Sequence, residues 1–161
     1  MLINQSIHTL DLLRWFAGEL RVESCAMSVR RPGRRIETED TCDMLLTGPA
    51  GERFLFFASV CAADNFPVQI RLLFEKGELF LEGTELTIRS PEGTVREDYA
   101  GENCVGKAYW GSSHSLLIAD FYRRIREGRE PFILPSDALE TMRLVEAAYR
   151  SASPEDRKRP E

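Results

Sequence analysis

The chain is 161 residues long, 43% hydrophobic and 29% charged, long enough for one compact core that buries on the order of two-thirds of the unfolded surface. Its 26 acidic and 21 basic residues are mixed along the sequence and leave a net charge of -5, which argues for solubility and against a nucleic-acid surface. No apolar run is long enough to cross a bilayer, and Met1-Leu2-Ile3 gives way at once to polar residues, unlike a signal peptide.

The first expected element is a helix from about Ser6, as N-cap, to Ala17, with Gly18 as its stop. Ile7, Leu10, Leu13 and Ala17 form its apolar face, and Asn4, His8 and Asp11 or Leu12 fall on an adjacent stripe. Asn4 and His8, one turn apart, can address the same small volume. Such a pair suits a hydroxyl-bearing ligand, the imidazole exchanging a proton near neutral pH and the carboxamide orienting the hydroxyl. The plainer reading is that Asn4 caps the first turn and His8 is a surface group.

Strands are expected next, at 21–29, 40–47, 53–62, 68–75, 78–81, 85–89 and 94–99, punctuated by Gly51, Gly77, Gly83 and Gly93 at hairpin-like intervals. Their short connections leave no room for crossover helices, so the sheet is expected to be mostly antiparallel. In the run Arg53 to Val60, Phe54, Phe56 and Val60 lie on one face and Leu55 and Phe57 on the other. Three helices cover only one face of so wide a sheet, and an uncovered apolar face suits a second copy of the chain.

Arg30-Arg31-Pro32-Gly33-Arg34-Arg35 surrounds a turn and suits either a phosphate grip or a solvated loop. Glu37, Glu39 and Asp40 are close in sequence, but strand alternation sets Asp40 opposite Glu39, and metal ligands must converge. Cys25, Cys42, Cys61 and Cys104 are widely spaced, with no C-x-x-C pair. No metal site is expected from them; Cys25, Cys42 and Cys61 read as small buried hydrophobes, which fits a reducing cytoplasm.

The last third returns to helical spacing. Ser113 is placed to cap a helix ending at Gly128, with Leu117, Ile118, Phe121, Tyr122 and Ile125 inward and Asp120, Arg123 and Arg124 on a solvated face. After Pro135, Asp137 and Glu140 read as a capping box opening a helix with Ala138, Met142, Val145, Ala148 and Tyr149 inward. The domain is expected to span 1–152, and 153–161, without an apolar residue, to be a disordered tail.

Asn4-Gln5-Ser6-Ile7-His8-Thr9-Leu10-Asp11 resembles the opening of the C-terminal domain of the glucose-fructose oxidoreductase and inositol dehydrogenase family (Gfo/Idh/MocA). That family has Asn or Asp, three residues, His, then an aliphatic residue and Asp. Ile36-Glu37-Thr38-Glu39-Asp40-Thr41 fits it too, as does the stretch from Tyr109-Trp110-Gly111-Ser112-Ser113-His114 through Gly128-Arg129-Glu130-Pro131 to Ala148-Tyr149-Arg150-Ser151-Ala152. The order and spacing of these pieces cover nearly the whole chain.

The resemblance implies an α+β fold, an open-faced, mostly antiparallel sheet with helices on one face, and a homodimer through the other. It implies the substrate domain of an NAD- or NADP-dependent oxidoreductase acting on a sugar, cyclitol or similar polyol. His8 would handle the hydroxyl proton and Asn4 would bind substrate; Tyr109, Trp110 and His114 would lie beside the pocket, the aromatic rings offering faces for a sugar. Asn4 stands where some members carry Asp, and a carboxamide holds no charge to raise an imidazole's basicity. The family's nucleotide-binding half has no counterpart here: there is no G-x-G-x-x-G, and Gly48-Pro49-Ala50-Gly51 reads as a hairpin turn. The isolated chain is therefore expected to bind no dinucleotide and to be inactive alone. The competing expectation is a non-catalytic ligand-binding or oligomerisation module with the same fold.

Overall fold

The computed structural model describes residues 1–31, 38–100 and 113–152. In chain order a π-helical turn, Leu2–Ser6, runs into α1 (Ile7–Ala17), followed by β1 (Arg21–Ser28), β2 (Thr41–Thr47), β3 (Arg53–Ser59), β4 (Gln69–Phe74), β5 (Gly77–Glu82), β6 (Glu85–Ser90), β7 (Gly93–Asp98), α2 (Ser113–Arg126) and α3 (Pro135–Ser151). The fold is α+β, and every strand pairing is antiparallel. Among the described residues the strands form two hydrogen-bonded sheets, β1-β2-β3 and β4-β5-β6-β7. The chain divides into two compact units, Met1–Asn65 with Pro135–Glu161, and Phe66–Leu134.

The first unit is built on the inward face of β1-β2-β3. Strand alternation puts Cys25 and Met27, Cys42, Met44 and Leu46, and Phe56 on that face, and all are buried. Helix α3 lies against β1, and α1 packs on α3, adding Leu10, Leu13, Leu144, Val145 and Ala148 to the same core. The outward face stays open: Leu55 is 87% exposed and Phe57 68%. The thiols of Cys25 and Cys42 lie 3.7 Å apart inside this core, and their hydrogen bond, then burial, push the Cys42 thiol far above its usual range. The expected turn at Gly48 to Gly51 joins β2 to β3, with the Gly48 N–H donating to the Glu52 carbonyl at 2.9 Å.

Three expectations within the helices are corrected. The helical path begins at Leu2, four residues before the expected start at about Ser6, and Ser6 has helical angles with no side-chain cap. Met1 and Leu2 are buried and hold this turn against the unit, while the Ser6 hydroxyl meets the Met1 sulfur at 2.9 Å. Gly18 stops α1 as expected, with a φ of 80° and its N–H on the Arg14 carbonyl at 2.8 Å. Second, α3 opens at Pro135, whose fixed φ suits the first helical position, and Asp137 sits inside the first turn, where the helix dipole favours a carboxylate. The buried stripe of α3 is Thr141, Leu144, Val145 and Ala148, whereas Ala138 and Met142 are exposed. Val145 and Ala148 are buried as expected, while the polar Thr141 shifts the N-terminal end of the stripe away from Ala138 and Met142.

Third, α2 buries none of its residues: Leu117, Ile118, Phe121, Tyr122 and Ile125 are each 42% to 60% exposed. The helix ends as expected at Gly128, with a φ of 64°, through paired bonds from Gly128 N–H to the Ile125 carbonyl and from Arg129 N–H to the Arg124 carbonyl. In the second sheet, Ile70 and Leu72 are buried, and their cross-strand neighbours Leu81 and Leu79, then Leu86 and Ile88, continue an apolar face. Arg71, Glu78 and Arg89 occupy the opposite face and are joined by ion pairs. Gly77 begins β5 where a side chain cannot fit: a β-carbon there would come within 2.2 Å of the Arg89 carbonyl oxygen.

Candidate functional site

Asn4 lies in the π-helical turn and His8 one turn later in α1, and both are exposed. Neither side chain takes a hydrogen-bond partner among the described residues, so a carboxamide, with its NH2 donor and its carbonyl acceptor, and an imidazole are open to solvent on one short stretch of backbone. A single π-helical turn is rare in proteins and frequent at functional sites, because it re-aims one side chain relative to a regular helix.

The backbone beneath this pair is fixed from two sides. The Glu39 Oε1 atom accepts hydrogen bonds from the Met1 nitrogen at 2.9 Å, the Leu2 N–H at 2.6 Å and the Tyr149 hydroxyl at 2.8 Å. Asn4 and Gln5 N–H groups both donate to the Met1 carbonyl, at 3.1 and 2.8 Å. Burial pushes the Glu39 carboxyl up, but the three hydrogen bonds and the nearby positive nitrogen outweigh it, and its pKa lies below the ordinary value. Burial and the Glu39 carboxylate push the Tyr149 phenol upward, so the hydroxyl keeps its proton and remains a donor.

On the other side, Asp11 does not join Asn4 and His8. It turns to α3, accepting a hydrogen bond from the Thr141 hydroxyl, and Arg14 Nε donates to the same hydroxyl at 3.1 Å. Glu39 and Asp40 point to different partners. The Asp40 carboxylate receives the Arg30 N–H at 2.8 Å on Oδ1 and the Arg31 N–H at 2.9 Å on Oδ2. Burial works against ionisation of Asp40, yet these two bonds, with those from Cys61 and Thr41, prevail and lower its pKa to about 2. Asp40 is thus a structural clamp on the start of the arginine loop. Among the described residues no group of three metal-ligating side chains converges.

The remaining candidates are distributed differently. His114, in the second unit, is the second residue of α2 and exposed. Tyr109 and Trp110 lie outside the described residues, as do Arg34 and Arg35. Asp120 is ion-paired with Arg124 at 2.6 Å and with Arg123, the solvated face expected of it. An open groove of 420 Å³ runs between α2 and the segment after it, lined by Leu117, Phe121, Phe132 and Ile133 among others. Its walls are too apolar to recognise a polyhydroxylated ligand, which needs convergent polar groups. The contributions missed from sequence are those of Glu39, Tyr149 and Thr141. Glu39 was visible only in the acidic run with Glu37 and Asp40 and in a matching motif, and nothing in the sequence singled out Thr141.

Residues 1–158 match the oxidoreductase family's C-terminal alpha/beta domain. The D-apiose dehydrogenase of Rhizobium rhizogenes is 27% identical over 156 residues, which cover 91% of this chain and 45% of that protein. An oxidoreductase from Agrobacterium radiobacter, solved with NAD+, L-tartaric acid and magnesium, superposes with a TM-score of 0.78 at 24% identity, over 94% of this chain and 46% of that one. The WlbA dehydrogenase of Bordetella pertussis, solved with NADH and UDP-GlcNAcA, gives 0.75 at 23% identity over 93% and 44% of the two chains. The chain thus spans a little under half the length of these relatives.

Proposed function

Because this chain belongs to the oxidoreductase family whose C-terminal alpha/beta domain it matches over residues 1–158, we propose that it is the substrate-binding and dimerisation domain of an NAD(P)-dependent oxidoreductase acting on a sugar, cyclitol or similar polyol. The observation that carries this reading is the Asn4 and His8 pair, open to solvent on a turn and helix anchored to α3. The dehydrogenase of D-apiose among its relatives supports a polyhydroxylated substrate.

Among the described residues, no glycine-rich turn leads into a helix N-terminus in the way a dinucleotide requires. The described glycines serve other ends: Gly18 and Gly128 close helices, Gly51, Gly83 and Gly93 turn hairpins, and Gly77 lies against a neighbouring strand. A pyrophosphate cradle needs backbone N–H groups of a glycine-rich turn at a helix N-terminus. On this proposal the dinucleotide is held outside this chain.

What the chain supplies is recognition and proton handling. The Asn4 carboxamide donates to one substrate hydroxyl oxygen and accepts from a neighbouring hydroxyl. A His8 ring nitrogen takes the proton of the reacting hydroxyl, or returns it in the reverse direction. The exposed Leu55 and Phe57 on the open sheet face support a homodimer, and the buried Cys25 and Cys42, whose sulfurs lie 3.7 Å apart without a disulfide, suit a cytoplasmic setting.

Titration of the isotope-labelled chain with sorbitol, myo-inositol and D-glucose, followed by NMR, tests the site. Selective shifts of the Asn4 carboxamide and His8 imidazole signals with at least one of the three are expected; shifts confined to the apolar groove on α2 would contradict it.

A further inference from the structure

We propose that Glu39 and Tyr149 are positioning residues that lock the Leu2–Ser6 turn and so fix the direction in which Asn4 and His8 present their side chains. The proposal rests on the reading of Asn4 and His8 as the substrate-facing pair. It extends that reading to two residues that touch no substrate.

The argument is geometric. The first N–H groups of a helical segment have no acceptor within it, so the start of this turn is held only by bonds from outside. Here that support is one carboxylate oxygen. Glu39 Oε1 takes the Leu2 N–H and the Met1 nitrogen, two donors that the start of a helical segment leaves without internal acceptors. The Met1 nitrogen donates equally well as an amine or as a peptide N–H, so the arrangement does not depend on a free amino group. Tyr149, 110 residues away in sequence, reaches the same oxygen from α3. Its ring also borders a groove with Ile3, Leu139 and Met142, at the foot of the turn.

The consequence is a fixed path from core to site. Tyr149 is carried by the helix whose Val145 and Ala148 are buried, so its hydroxyl is held by core packing and in turn holds Glu39. Glu39 holds the backbone of Leu2, two residues before Asn4 and six before His8. Sites of this kind lose precision when the groups supporting their functional side chains are free to move, even where the fold is unchanged. The sequence around Glu39 precedes β2 immediately, with Asp40 and Thr41 anchored in their own hydrogen bonds. The carboxylate is therefore supported by its own strand as well.

Amide exchange and side-chain NMR of the full chain without ligand provide the test, using Tyr149→Phe, Glu39→Gln and, as a control that loosens the core away from the turn, Leu46→Val at a fully buried position of β2. With Tyr149→Phe, exchange at Asn4 and Gln5 is expected to rise about tenfold or more, and the Asn4 and His8 side-chain signals to shift while methyl signals of Leu10 and Val145 stay in place. Glu39→Gln keeps a carbonyl acceptor for Leu2 and should produce a smaller change. Unchanged Asn4 and His8 signals in Tyr149→Phe would overturn the proposal, as would the same change in Leu46→Val, since that would mean general loosening. Sorbitol is then added to the parent and to Tyr149→Phe. Weaker binding by at least threefold in the variant supports positioning, and equal binding contradicts it. If the parent binds no polyol, the substrate reading fails, while the ligand-free measurements still decide whether Glu39 and Tyr149 set the pair.

Discussion

Thr141 on α3 donates its hydroxyl hydrogen bond to the Asp11 carboxylate on α1, across 130 residues of sequence. The same hydroxyl oxygen accepts from Arg14 Nε at 3.1 Å, so one 2%-exposed side chain joins both an acid and a base of the helix that carries His8. Neither end of this bridge is apolar, yet it sits where a hydropathy pattern would place core.

Thr141→Val keeps the shape of the side chain and removes both bonds. Leaving Asp11 and Arg14 without that partner is expected to cost about 1–3 kcal/mol. Urea unfolding should give a lower midpoint with an unchanged slope.

Asp40 ties acid stability to the start of the arginine loop. Its pKa is about 2 in the folded chain against an ordinary 3.8, so the unfolded chain takes up a proton first as pH falls. The contribution of Asp40 is complete above pH 3.8 and is lost as pH falls toward 2. Asp40→Asn sets an amide donor against one of the two N–H groups of Arg30 and Arg31. It should lower the melting temperature at neutral pH and flatten its fall over that acid window, measured by circular dichroism at a series of pH values.

Gly77 is required by space. A β-carbon 2.2 Å from the Arg89 carbonyl oxygen cannot be relieved by moving a side chain, because the obstacle is the backbone of β6. Gly77→Ala should therefore separate β5 from β6 and destabilise by about 1–3 kcal/mol. Gly51→Asn, at a hairpin turn with open space around it, provides a milder comparison in the same thermal melts.

The alternation of β3 was legible from residue types alone: Phe56 is buried while Leu55 and Phe57 are exposed. All seven strands were legible to within a few residues, because glycine turns and period-two patterns are local signals. The helices were harder. In α3 periodicity found the buried Val145 and Ala148 but also took in the exposed Ala138 and Met142 and passed over Thr141 and Leu144, and the apolar side of α2 gives no sign in sequence of lying exposed. The motif carrying Asn4 and His8 was readable, whereas the partners that hold it, Glu39 and Tyr149, come from positions 35 and 145 residues after Asn4. Pairing over such separations leaves no local trace.

Leu55 and Phe57 lead to a prediction about assembly. An exposed apolar sheet face of this kind is expected to pair with its own copy, burying about 800 Å² per partner in a standard-sized interface. Light scattering coupled to size-exclusion chromatography should give twice the chain mass at micromolar concentration, and Phe57→Lys should shift the mass to that of one chain. A parent that is monomeric throughout would contradict the homodimer.

The central claim, that His8 handles the proton of a substrate hydroxyl, is tested most directly by turnover. The chain is joined to the dinucleotide-binding half of a relative, and NADH or NADPH formation is followed with a polyol substrate for the parent and for His8→Ala. The account predicts a fall in kcat on the order of a hundredfold or more with the fold intact by circular dichroism. Turnover within a few-fold of the parent would contradict it and make His8 a surface residue of α1.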